Sequence, residues 1–116
     1  MLKGIDPLIS PDLLRVLAQM GHGDEIVIAD ANFPATSTAR GTVHGQALQM
    51  ECMVPRAVEA ILSLLPIDTF DGPPVMTMAV VGEPDTTPAV VAEAAPLFAG
   101  AAITALERFA FYDRAR

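Results

Sequence analysis

The stretch Ser10-Pro11-Asp12-Leu13-Leu14-Arg15-Val16-Leu17-Ala18-Gln19-Met20-Gly21, followed after His22-Gly23-Asp24 by Glu25-Ile26-Val27-Ile28-Ala29-Asp30, sets a helix directly before a short apolar strand. Ser10 is a good N-cap, Pro11 suits the first helical position, and Asp12 favours the positive end of the helix. Leu13, Leu14, Leu17 and Met20 recur at helical spacing and Gly21 follows as a stop, which predicts a helix over 11–20. The run 25–29 is apolar and too short for a helix. It reads as a buried strand ending on Asp30.

Outward from this unit the alternation repeats. Ala31-Asn32-Phe33-Pro34-Ala35 and the polar 36–38 read as a loop, and 42–45 as a short strand. Pro55 opens a second helix through 65, with Ala57, Val58, Ile61, Leu62 and Leu65 along one face; Pro66 ends it. After the turn Asp71-Gly72-Pro73-Pro74, 75–81 makes a second buried strand. Thr87-Pro88 repeats the cap-then-proline signal for a helix running towards Phe98, which Pro96 should kink or end. A third strand is expected over 101–106, and 109–116 begins another helix. Helices that alternate with short apolar strands imply an α/β fold, a mostly parallel sheet covered on both faces. The 116 residues suit one domain.

Composition removes several functional classes. Over half of the residues are hydrophobic, which rules against disorder. The formal charge is -7, and the 7 basic residues are scattered, so a phosphate-tracking surface has little support. With no Trp and one Tyr, the chain is poor in stacking platforms for single-stranded nucleic acid. Cys52 is the only cysteine, which excludes an intrachain disulfide and a cysteine-based zinc site. His22 and His44 show no metal-ligand spacing, and a metal-free site is expected. The opening Met1-Leu2-Lys3-Gly4-Ile5-Asp6-Pro7 is no signal peptide, and every apolar run is broken well short of ~20 residues, so the expected location is the cytoplasm. Gly-x-Ser-x-Gly elbows, phosphate-binding loops and dinucleotide fingerprints are absent.

Four residues stand out for chemistry. His22 follows the first helix between two glycines, where the carboxyl end of the helix favours imidazolium and the ring is approachable. An ordinary loop histidine is the plainer alternative. Asp30 ends the first strand, at the sheet edge where open α/β folds bind ligands, and its carboxylate can accept hydrogen bonds from ligand hydroxyls. It can equally be a turn residue bonding its own backbone. Arg108 would emerge on the same edge with a planar donor fork, unless it is a surface or ion-paired arginine. Tyr112, one turn on, reaches that edge or serves as a core or interface tyrosine.

Two dense blocks carry a resemblance. Met1-Leu2-Lys3, Pro7-Leu8-Ile9-Ser10-Pro11, Met20-Gly21-His22-Gly23-Asp24-Glu25-Ile26 and Asp30-Ala31-x-Phe33-Pro34-Ala35, and later Arg108-Phe109-Ala110-Phe111-Tyr112-x-Arg114-Ala115, resemble the L-fucose mutarotase / D-ribose pyranase family. The resemblance implies a three-layer α/β/α sandwich and a ring-shaped homo-oligomer with sites near subunit boundaries. It implies His22 as the catalytic acid, with Asp30 and Arg108 binding the sugar; Tyr112, by its place one turn on, is a further candidate to bind the sugar and assist. Ribose pyranases carry a histidine where Arg108 stands, which favours the fucose branch. Asn32 replaces a histidine of the fucose mutarotases. The family also continues into a C-terminal strand with a Tyr-Gly-Asn segment that completes the sugar site; no such segment occurs here, and a longer natural polypeptide is expected.

The implied reaction is interconversion of the α and β anomers of L-fucose, with pyranose–furanose exchange of D-ribose as a further activity. A base takes the anomeric hydroxyl proton while an acid protonates the ring oxygen; the aldehyde rotates and recloses. Placing one acid and one base supplies ~10²–10⁴-fold each, and no cofactor is needed. The rival expectation is a non-catalytic monosaccharide-binding or regulatory protein of the same fold. A purely structural oligomerisation module would leave His22 and Asp30 without a purpose.

Overall fold

The structure is a computed structural model that describes residues 2–70 and 72–116. Helix α1 (Pro11–Gln19) forms as the sequence predicts, one residue shorter than 11–20. Ser10 Oγ accepts the Leu13 amide at 3.1 Å, satisfying one of the unpaired donors of the first turn. Helix α2 (Ala35–Ala39) lies where the sequence reads as loop, a single turn in which Ser37 Oγ bonds back to Pro34 O. Helix α3 (Val54–Leu62) opens on Pro55 but ends short of 65: the Leu64 and Leu65 amides both turn in on Ile61 O.

The core is the seam between α1 and α3. Ile9, Leu13 and Leu17 pack with Ala60 and Ile61; Leu13 is 2% exposed and Ala60 has no exposed surface. Ile26, Ile28, Leu48, Met50, Leu64 and Leu65 pack around this cluster. A polar clamp holds its entrance. Arg56 of α3 donates through Nη1 and Nη2 to the two carboxylate oxygens of Asp6, at 2.7 and 3.1 Å, while Asp6 Oδ1 also takes the Leu8 amide.

Strand β1 (Val75–Met78) pairs in parallel with β2 (Ile103–Leu106), in the register Val75 to Ile103 and Met78 to Leu106. The Ala79 amide extends the ladder by one bond to Leu106 O, and the chain then turns away, so β1 is shorter than 75–81. Between the strands runs α4 (Ala89–Ala94), which tightens into a 3₁₀ turn over Ala95–Phe98 at Pro96, where the missing amide donor prevents the α pattern from continuing. Thr87 does not cap α4: Pro88 holds the N-cap position, and no side chain bonds the free amides. Helix α5 (Arg108–Ala115) closes the described order, capped by Glu107, whose Oε2 accepts the Phe109 and Ala110 amides. It packs against α2 and β1, with Ala39 and Ala115 buried.

Two expected strands are corrected. Run 25–29 joins no ladder. Its apolar alternation is satisfied by side chains instead: Ile26 and Ile28 pack on the helical core while Val27 faces out. Run 42–45 is a turn, because Thr42 Oγ1 bonds Ala39 O at 2.7 Å and takes the Gly45 amide at 3.0 Å, with Gly45 at φ 81. Both local bonds occupy groups a strand would have left for a partner. The architecture is nevertheless α/β with a parallel sheet. Among the described residues no helix is long and apolar enough to cross a membrane.

Two outcomes test the seam. Leu13→Ala removes a buried side chain from a site walled by helices that cannot collapse freely, and should lower unfolding free energy by about 3 kcal/mol in chemical denaturation. The Arg56 fork beside Asp6, aided by the Leu8 amide, holds the Asp6 carboxyl below its usual 3.8. A depressed folded-state value stabilises above the unfolded value and is lost as pH falls through the folded one. Asp6→Asn should therefore melt below the parent at pH 7, with the gap constant down to about pH 5 and closing below about pH 4.

Candidate active site

The turn that leaves α1 is built before His22 is placed. The Gly21 amide donates to Asp24 Oδ2 at 2.7 Å and the Asp24 amide returns to Gly21 O at 3.1 Å, closing a tight loop over His22 and Gly23. Gly23 stands at φ 84, which an L side chain rarely adopts, so the loop needs glycine there. The His22 side chain is 81% exposed.

Its ring is nevertheless held. Nδ1 lies 3.1 Å from Oδ2 of Asp68, which is only 29% exposed. The same Oδ2 accepts the Gly23 amide at 3.2 Å, and Oδ1 accepts the Phe70 amide at 2.9 Å. The Phe70 amide first, and His22 next, hold the Asp68 carboxyl below the usual carboxylate range. The Phe70 ring meets the imidazole edge-on, with centroids 5.6 Å apart, and is itself 83% exposed. Sequence reading passed over Asp68. Ile67-Asp68-Thr69-Phe70 carries a local turn signal, but nothing in it announces a partner 46 residues earlier.

Asp30 adopts the turn role. Its Oδ1 accepts the amides of Asn32 and Phe33 at 3.0 and 3.1 Å, shaping the approach to α2. Phe33, the residue so positioned, packs on α5: its ring centroid lies 6.0 Å from that of Phe111 and 5.5 Å from that of Tyr112. Tyr112 also meets Phe109 edge-on at 6.5 Å. Arg108, half-buried at the start of α5, lies with Cζ 4.5 Å from the Phe109 ring centroid, a cation–π contact rather than an ion pair. Asp30, Tyr112 and Arg108 are thus linked through one aromatic cluster. The side-chain partners of His22 are instead Asp68 and Phe70. The two groups are joined along the 22–33 segment, where the Arg114 Nε lies 3.0 and 3.1 Å from the Glu25 carboxylate oxygens.

Chemically, the first group offers an accessible imidazole with one nitrogen fixed by a carboxylate. The second offers a carboxylate, a guanidinium and a phenol around aromatic surface. A cavity of 310 Å³ lies elsewhere, between β1, the 84–88 turn and α4, and none of the four residues lines it.

Comparison with known proteins gives these residues a context. The chain is 39% identical to an L-fucose mutarotase of Haemophilus influenzae (strain 86-028NP), over all of this chain and 81% of that protein. It is 42% identical to a fucose mutarotase of Bos taurus, over 99% and 78% of the two chains. The crystal structure of protein Atu2016 superposes with a TM-score of 0.92 at 45% identity, covering 99% of this chain and 80% of that one. Residues 3–116 match the family described as RbsD / FucU transport proteins, and the chain belongs to that family.

Proposed function

We propose that the chain is a sugar mutarotase, an isomerase that interconverts the α and β anomers of L-fucose by general acid/base ring opening. The observation that carries this reading is His22, exposed to a ligand yet fixed at Nδ1 by Asp68, in a family whose relatives include proteins named L-fucose mutarotase. Such a ring has one nitrogen committed to structure and one available for proton transfer.

His22 donates its proton to the ring oxygen as the C1–O bond breaks, while the anomeric hydroxyl passes its proton to a water molecule acting as base and C1 becomes the aldehyde carbon. Rotation about C1–C2 exposes the other face, and reclosure returns both protons. Nothing in this cycle is oxidised or reduced. Asp30 and Arg108 bind hydroxyls, and Tyr112 assists at the same end. The Asp30 turn bonds use Oδ1, which leaves Oδ2 to accept a hydroxyl. Phe70 gives an apolar surface beside the imidazole for the C–H face of the sugar.

Residues 1–116 belong to a single sugar mutarotase domain, and the protein works in the cytoplasm and assembles into a ring-shaped homo-oligomer. Large apolar side chains left exposed, among them Phe70, Met53, Val81 and Phe109, support assembly, since surfaces rich in such groups are usually covered by a partner.

Saturation-transfer NMR between fucose anomers tests the reading directly. His22→Ala should slow anomer exchange at least ~10²-fold while the melting curve stays close to the parent's; an unchanged exchange rate would move the acid elsewhere. Exchange should be faster for L-fucose than for D-ribose. Arg108→His should narrow that gap, because an imidazole replaces a five-donor fork. A parent that prefers ribose would overturn the choice of sugar.

A further inference from the structure

We infer that Asp68 is the positioning residue that fixes the tautomer of His22, so that proton transfer to and from the sugar runs through Nε2 alone. The inference deepens the mutarotase reading and rests on it.

The argument starts from what a carboxylate can do. An ionised carboxylate only accepts hydrogen bonds, so the Nδ1···Oδ2 contact at 3.1 Å requires the hydrogen on Nδ1. In neutral His22 the lone pair then sits on Nε2. In the imidazolium, Nε2–H is the one ring donor not already engaged. Across a full cycle Nδ1–H stays on Asp68 and Nε2 alone gains and loses the proton. Without Asp68 an exposed imidazole could present either nitrogen, and only part of the population would be ready to react.

Asp68 is suited to this because its own orientation is determined. Three donors converge on it: the Phe70 amide on Oδ1, and the Gly23 amide and His22 on Oδ2. Two of these are backbone groups, so the carboxylate is held in place whether or not the imidazole is charged. The lowered proton affinity that follows keeps it an acceptor at neutral pH. Asp24 does a different job. Its Oδ2 binds the Gly21 amide and shapes the loop without touching the ring.

The chain contains two histidines, so long-range ¹H–¹⁵N NMR of the uniformly labelled protein resolves two imidazoles, which His22→Ala assigns. In the parent, at a pH where His22 is neutral, the Nδ1–H form should dominate. Asp68→Asn should shift the neutral ring towards Nε2–H and slow L-fucose anomer exchange by about tenfold or more, with fucose affinity held within about twofold. Asp68→Glu, which keeps an acceptor, should recover part of the rate and of the Nδ1–H population. A structural role alone would change melting and affinity but not the tautomer ratio, and the parent spectrum needs no variant to fold. A parent ring in the Nε2–H form, or Asp68→Asn exchanging fucose at the parent rate, would overturn the inference. A parent that does not speed fucose exchange at all would overturn the mutarotase reading, and with it the catalytic purpose of Asp68.

Discussion

Ala60 is buried without remainder in one apolar cluster with Leu13 and Leu17, and this side-chain seam ties α1 to α3. Each helix then delivers its exit to the same neighbourhood. The chain leaving α1 reaches His22 three residues after Gln19, and the chain leaving α3 reaches Asp68 six residues after Leu62. The hydrogen bond between them is a consequence of the seam. The Asp6–Arg56 clamp belongs to the same logic, since it ties the approach to α1 onto the first turn of α3.

Those parts of the fold that depend on nearest neighbours could be read from the residues. Ser10-Pro11-Asp12 capped α1 as its chemistry dictates, Pro55 opened α3, and Pro96 converted an α-helix into a 3₁₀ turn. The strands were less legible for a physical reason. Apolar alternation says only that one side of a segment will be covered, and covering can come from helices as well as from a ladder. Val75–Met78 found a parallel partner in Ile103–Leu106, whereas 25–29, with equally apolar side chains, was covered by α1 and α3 and bonded to no strand. Run 42–45 failed differently, because the Thr42 hydroxyl competed for the backbone groups a strand requires.

The same division runs through the candidate site. His22 was legible because its glycine neighbours and its place after a helix are local facts, and Asp30 because a carboxylate at a segment end is either a ligand or a turn maker. The turn role is present, through Asn32 and Phe33. Arg108, read as following the third strand, opens α5 one turn before Tyr112. Asp68 was invisible because its meaning is non-local. No spacing rule links positions 46 residues apart when the link is the packing of two helices.

The segment from His22 to Phe33 joins the two halves of the proposed site, and its anchoring is of an unusual kind. It has no ladder; side chains hold it, with Ile26 and Ile28 on the core, Glu25 on Arg114 and Phe33 among the α5 aromatics. Segments with few backbone bonds lie at the low-stability end of a protein, where small displacements cost little. The imidazole end is different, because Asp68 and the Gly21–Asp24 turn fix it at both ring and backbone. Ring opening makes unequal demands of this sort. The acid must keep its geometry towards one oxygen, while the groups that hold the remaining hydroxyls must follow a sugar that unfolds into an open chain and recloses on its other face. On the proposed mechanism, a His22 held at ring and backbone is joined to a segment that side chains alone hold, and residues 25–29 add no strand to stiffen it.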